Sequence, residues 1–180
     1  ILLTKYDDLF ADDFLLPTGN LRESRRGAKR ADVILVTKCP NSLSKNSRGK
    51  IEKKLKKYNK KVFFTSISYD EKTSGNHTVL VDDLKNYEVL LITGIANPTP
   101  LLSFLKEKKV NFEHLNFPDH HHFSDKEIET IEKKYDSLKS SKKMILTTEK
   151  DYVRLESRII KISFLSIKTT FLNTVFILKL

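Results

Sequence analysis

The feature that most constrains this chain is a repeated order of short apolar run, loop and amphipathic helical segment. Ile1–Thr4, Val33–Thr37, Val62–Ser66, Val89–Thr93, Phe112–Phe117 and Met144–Thr147 are the strand candidates. Several are leucine-rich or β-branched without polar alternation, the pattern of strands covered on both faces. Between them Leu43–Tyr58, Thr99–Lys108 and Ser124–Leu138 are the helix candidates. The first has sparse apolar positions (Leu43, Ile51, Leu55), and the second carries Leu101, Leu102 and Leu105 on one stripe. Ser124 ahead of Asp125 and Glu127 predicts a cap, because the hydroxyl accepts an orphan amide hydrogen bond and early carboxylates suit the positive helix end. Alternating strands and helices connect in parallel through right-handed crossovers. The expected fold class is α/β with a mostly parallel sheet.

The stretch Ser68–Tyr87, centred on Gly75, Asn76 and His77, breaks this rhythm. The division predicted is residues 1–67 as the remainder of a first α/β lobe, 68–87 as an insertion or hairpin, 88–158 as a second α/β lobe, and 159–180 as a hinge or returning strands. Ile1-Leu2-Leu3-Thr4 reads as the inside of a core strand with no start signal before it. The expectation is therefore a carboxyl-terminal part of a longer protein.

Thirty-three basic against 23 acidic residues give a net charge of +10. Such a surplus favours an anionic partner: nucleic acid, nucleotide or a phosphate-rich membrane face. The single cysteine, Cys39, excludes an internal disulfide and reads as a small buried residue. No stretch approaches the roughly 20 apolar residues that span a bilayer; Phe171–Leu180 comes nearest and is too short.

Four segments could carry chemistry. In Leu15-Leu16-Pro17-Thr18-Gly19-Asn20-Leu21-Arg22-Glu23-Ser24, proline and glycine predict a sharp turn, with Arg22 and Glu23 at the entrance to a helix. Arginine there suits phosphate, since its planar fork gives two parallel charge-assisted hydrogen bonds. A solvated salt bridge after a turn explains the same residues. Thr93-Gly94-Ile95-Ala96-Asn97-Pro98 follows a strand, on the edge where open α/β sheets bind ligands, and glycine permits close backbone approach. The alternative is a plain strand-to-helix turn capped by Asn97. Phe117-Pro118-Asp119-His120-His121-His122-Phe123 invites a metal reading, but adjacent histidines point apart and rarely share one ion. One of them as a proton-handling or phosphate-contacting group competes with a loop histidine satisfied by hydrogen bonds. Thr147-Thr148-Glu149-Lys150-Asp151 predicts a strand end with Thr148 capping a charged helix and Glu149 and Asp151 in its first turn. Structure explains most of this run, and a Lys150 contact to the ligand edge is compatible with it but not required. No Gly-x-x-x-x-Gly-Lys-Ser/Thr loop, nucleophile elbow or repeated Cys/His spacing is present in the sequence.

In this order, Leu16-Pro17-x-Gly19-x-Leu21-Arg22-Glu23, Arg30-Ala31-Asp32, Thr93-Gly94-Ile95-Ala96-Asn97-Pro98, Phe117-Pro118-Asp119-His120-His121 and Thr148-Glu149-Lys150-Asp151 resemble the tetraacyldisaccharide 4′-kinases, the lipid A 4′-kinases of Gram-negative bacteria. The resemblance implies a P-loop-kinase-like, two-lobed α/β architecture, here without its amino-terminal part. It implies transfer of the γ-phosphate of ATP, with Mg2+, to the 4′-hydroxyl of a lipid A disaccharide precursor at the cytoplasmic face of the inner membrane. The phosphate loop, a membrane-contacting helix and an Asp-Asp-x-Phe-Gln-His segment are expected upstream of Ile1, so this piece alone is expected to be inactive. By resemblance His120 works with an upstream aspartate on the sugar hydroxyl. Arg22 and Glu23 face the ATP phosphates and metal, and Gly94 and Asn97 border the cleft. His121 and His122 receive no role. Ala96 stands where the family commonly has glycine.

Two rivals remain on the sequence. A basic nucleic-acid-binding domain would gather lysines on one face with exposed aromatics, whereas Phe63, Phe64, Phe104 and Phe112 fall in core-like runs. A sugar-nucleotide glycosyltransferase shares the two-lobed α/β plan. The kinase reading expects no nucleic acid partner.

Overall fold

Unalternating apolar runs become strands buried on both faces. A computed structural model describes residues 1–59 and 61–172. In chain order its strands are β1 (Leu2–Lys5), β2 (Ile34–Cys39), β3 (Val62–Tyr69), β4 (Ser74–Gly75), β5 (Glu88–Thr93), β6 (Asn111–Asn116), β7 (Lys143–Thr148), β8 (Ile162–Leu165) and β9 (Ile167–Phe171). The α-helices are α1 (Lys45–Leu55), α2 (Thr99–Glu107), α3 (Asp125–Ser137) and α4 (Glu149–Leu155). The chain divides into two compact units, Ile1–Ser68 resuming at Lys168, and Tyr69–Ile167.

The first unit holds a sheet of order β1-β2-β3-β9, with β1–β2 and β2–β3 parallel. Ile34, Val36 and Phe64 from β2 and β3 are fully buried with Leu55 of α1. Ser44 caps α1 by accepting the Ser47 N–H at 3.1 Å. That helix ends at Leu55, short of Tyr58, and Leu55 is its one buried residue. Arg22 and Glu23 do not open an α-helix: a six-residue 3-10 helix, Arg25–Arg30, follows Ser24. Its sequence buries Ala28 alone and contains Gly27, so tertiary burial, the main support of short helices, is nearly absent.

The second unit holds a sheet of order β4-β8-β7-β5-β6, parallel except for the β4–β8 pair. Along β5, Val89 and Leu91 face a core shared with Leu101 and Leu105 of α2, while Leu90 and Ile92 face Ile128 and Ile131 of α3. Both faces are covered, which is why the run lacks polar alternation. Each such side chain contributes about 1.5–3 kcal/mol by its removal from water. A capping box fixes the start of α3, with Ser124 and Glu127 bonding each other's backbone N–H. Within 68–87 the chain finishes β3, makes β4, and turns through a 3-10 helix, Val81–Asn86, that buries Leu84. Gly75 has φ +95°, and a Cβ there would meet the Ile162 carbonyl at 3.0 Å. From 159 on, β8 joins the second unit's sheet and β9 the first unit's, while residues 173–180 lie outside the described residues. Among the described residues, no helix is long and apolar enough to cross a membrane.

Candidate functional site

In the second unit β5, β6 and β7 run parallel, with Thr93 beside Asn116 and Ile92 beside Thr147. Their carboxyl ends therefore lie on one edge, and three loops leave it: the loop after Thr93, the loop after Asn116 and the turn into α4. This is the edge at which open parallel sheets bind ligands. The Phe117 N–H donates to the Thr93 carbonyl at 2.7 Å, tying the first two loops at their roots.

His120 sits on the second loop with φ +60°, a left-handed conformation that costs a non-glycine residue about 1–2 kcal/mol. Its backbone N–H donates to Asp119 Oδ1 at 3.0 Å, and Lys150 Nζ of α4 donates to the same oxygen at 2.8 Å. The ring lies between charges: Nε2 is 3.6 Å from Asp119 Oδ2 and 3.4 Å from Lys150 Nζ, and Nδ1 is 3.2 Å from Arg154 Nη2. The hydrogen bond from Lys150 is the main cause that holds the Asp119 carboxyl below the usual carboxylate range. The His120 side chain is 72% exposed, so the imidazole faces solvent with a carboxylate and two cations behind it. Such a group can meet a substrate hydroxyl or phosphoryl oxygen.

Gly94 and Asn97 share the first loop. The Gly94 N–H donates to Asp151 Oδ2 at 2.9 Å, and a Cβ on Gly94 would stand 3.1 Å from Asp151 Oδ1 and 3.4 Å from the Pro118 carbonyl. Glycine is what lets the three loops close together there. Asn97 Oδ1 accepts the Thr99 N–H at 3.1 Å, so its side chain holds the first turn of α2. Thr148 caps α4 as expected, accepting the Asp151 N–H at 3.2 Å. Asp151 stands in that first turn, where a carboxylate ordinarily faces solvent. Its carboxylate instead turns inward, fully buried, and also accepts the Thr148 hydroxyl at 2.8 Å.

Two other histidines hold structural posts. His121 Nε2 lies 2.9 Å from Glu127 Oε1, and its ring stacks on Phe117 at 5.0 Å. His114 on β6 was missed in the sequence. Its Nε2 lies 2.8 Å from the hydroxyl of buried Thr93, which donates to Asn116 Oδ1 at 3.1 Å, and burial pushes its pKa down. Its one sequence signal is a polar side chain on a strand two residues from Asn116. Among the described residues, no group of three His, Cys, Asp or Glu side chains could hold a metal ion.

Arg22 and Glu23 belong to the first unit. The turn before them is built on Asp13, whose Oδ1 accepts the Phe14 N–H at 2.7 Å and the Asn20 N–H at 3.1 Å. A Cβ on Gly19 would come within 2.3 Å of that oxygen, so the turn requires glycine. Arg22 is exposed. Glu23 receives Arg30 Nη2 at 2.6–2.7 Å, with both side chains about 70% exposed, which is the solvated salt bridge weighed above, made with Arg30. Exposed pairs of this kind contribute about 0–1 kcal/mol. An open cavity of ≈ 420 Å³ lies beside the turn, lined by Phe14, Leu15, Leu16, Thr18, Leu21, Ser24 and Arg25.

A family model described as tetraacyldisaccharide-1-P 4′-kinase matches residues 1–178. Curated relatives named tetraacyldisaccharide 4′-kinase include that of Flavobacterium johnsoniae, 49% identical over 177 residues (96% of this chain, 50% of the relative). That of Bacteroides thetaiotaomicron is 41% identical over 167 residues (86% and 44%). The chain thus spans about half the length of the curated relatives it matches. Among solved structures, the "apo" form of LpxK from Aquifex aeolicus in complex with ATP aligns with TM-score 0.59 and 24% identity, over 94% of this chain and 47% of that one. That likeness bears on the fold and agrees with the α/β class expected from the sequence.

Proposed function

The chain belongs to the tetraacyldisaccharide-1-P 4′-kinase family, and from that membership we propose that the full-length protein transfers the γ-phosphate of ATP to the 4′-hydroxyl of a tetraacylated glucosamine disaccharide 1-phosphate. The observation that carries the reading is the His120 imidazole, presented at the carboxyl edge of a parallel sheet beside Asp119 and Lys150. Phosphoryl transfer asks a protein for positioning and charge stabilisation rather than covalent chemistry. An exposed imidazole backed by one carboxylate and two cations supplies both at a sugar hydroxyl. His120 is assigned there, with Asp119 holding its backbone and Lys150 holding Asp119. Gly94 and Asn97 shape the loop beside it.

Arg22 is assigned to the ATP phosphates and Glu23 to the phosphate side of the same nucleotide. Magnesium is proposed as the companion of ATP, as in phosphoryl transfer generally. Glu23 is engaged by Arg30, and among the described residues no metal-holding cluster occurs, so no step is routed through the ion. The net charge of +10 supports a place at the cytoplasmic face of the bacterial inner membrane, where a near-surface Lys or Arg gains about 1 kcal/mol. The nucleic-acid-binding and glycosyltransferase readings find no support in the relatives.

The test is incubation of the full-length protein with γ-labelled ATP and the disaccharide 1-phosphate, with product analysis at the 4′ position. Label at that oxygen is expected, and Arg22→Ala should weaken ATP use. Label in free phosphate alone, or none, overturns the reading.

A further inference from the structure

The most unusual group in the second unit is the Asp151 carboxylate, which is completely buried in the first turn of α4. Burying a carboxylate costs several kcal/mol unless it is paired and hydrogen-bonded. Oδ2 is satisfied twice, by the Gly94 N–H and the Thr148 hydroxyl. Oδ1 has no hydrogen-bond partner, and its nearest cation is Arg154 Nη1 at 3.6 Å, a nitrogen that also lacks one. The other arm of the same guanidinium, Nη2, lies 3.2 Å from His120 Nδ1. One planar fork therefore reaches from a buried charge to the exposed imidazole, a geometry the single point charge of a lysine could not span.

Guanidinium and ammonium groups are donors only. A neutral imidazole accepts at one nitrogen, so Arg154 at Nδ1 and Lys150 at Nε2 cannot both donate to it. The Arg154 contact is the shorter, 3.2 against 3.4 Å, and Lys150 already has Asp119 Oδ1 at 2.8 Å. Asp119 Oδ2, 3.6 Å from Nε2, also favours a proton on that nitrogen.

We propose that Arg154, anchored by buried Asp151, is a positioning residue that orients His120 and selects the tautomer with its proton on Nε2. His120 then meets the reacting oxygens as a hydrogen-bond donor, and the proton of the attacking hydroxyl goes to another base. The kinetic part of this inference rests on the role proposed above for His120; the tautomer does not.

The test uses the full-length protein labelled with 15N-histidine, at alkaline pH where imidazole is uncharged. In the wild-type protein, His120 should show an unprotonated Nδ1 and a protonated Nε2. In Arg154→Met, Lys150 becomes the remaining donor, and the ring should gain the Nδ1-protonated form. Turnover should fall on the order of tenfold to 100-fold, the range lost with an orienting partner elsewhere, with the KM for ATP changed by less than about twofold. A wild-type ring protonated at Nδ1 overturns the proposal without any variant. So does an identical tautomer pattern in Arg154→Met. If the tautomer shifts as expected in a protein that transfers no phosphate to the disaccharide, the kinase reading fails and the positioning of His120 stands.

Discussion

Replacing Asp151 by alanine tests how the three loops of the second unit are joined. The change leaves the buried Gly94 N–H without its acceptor, which costs about 1–3 kcal/mol. The Thr148 hydroxyl also loses its acceptor, while its oxygen keeps the backbone N–H of position 151, which adds about 0.5–1.5 kcal/mol. Removing a desolvated carboxylate whose Oδ1 lacks a hydrogen-bond partner gives part of this back. The net expectation is about 2–3 kcal/mol of local destabilisation. Asp151→Asn keeps an oxygen for the Gly94 N–H and should cost about 1 kcal/mol. A protein with two units need not unfold in one step, so the proper assay is local: amide hydrogen exchange of peptides covering Gly94 and Pro118. Asp151→Ala should speed that exchange by about 30- to 150-fold, and Asp151→Asn by about fivefold, at 1.4 kcal/mol per tenfold. Exchange at the wild-type rate in Asp151→Ala would refute the reasoning. Equal damage from both variants would show that the charge, and not the acceptor, joins the loops.

Three further outcomes follow from the packing and charge. Ile131, fully buried between α3 and the sheet, should cost about 2–5 kcal/mol when cut to alanine, seen as lost exchange protection in β5 and β7; an unchanged pattern would contradict the core assignment. Lys150→Met should raise the Asp119 carboxyl pKa, followed by 13C NMR. Because the folded value is depressed, the stabilisation from that pair is present above the unfolded carboxylate range and is lost as pH falls through the folded value; an unmoved titration would sink the pairing. Burial pushes the Cys39 thiol up, so native protein should alkylate slowly at neutral pH and faster as pH rises, and rapid neutral labelling would show the site to be open.

The sheets were legible because covered strands leave a coarse mark: Leu90, Leu91 and Ile92 are all apolar because both faces are packed. Caps were legible too, since Ser124 and Thr148 act within three residues of themselves. The helix expected after Glu23 is present as a 3-10 helix, Arg25–Arg30, and not as an α-helix, because the segment buries Ala28 alone. The partners at His120 were harder. Asp119 adjoins it, but Lys150 and Arg154 are 30 and 34 residues away, brought in by the parallel pairing of β5 with β6 and β7. Asp151 looked like an ordinary first-turn carboxylate because nothing local says that it faces inward. The Thr93–His114–Asn116 contact depends on cross-strand register, which no single segment encodes.

The most direct test of the central claim is steady-state kinetics of the full-length protein and its His120→Ala variant, with ATP and the tetraacyldisaccharide 1-phosphate both varied. The expected result is turnover reduced by about 100-fold or more, as for the loss of a hydrogen-bonding group that meets the reacting oxygens, with the KM for ATP nearly unchanged. Undiminished turnover in His120→Ala would remove the imidazole, and with it the edge of the second unit's sheet, from the chemistry.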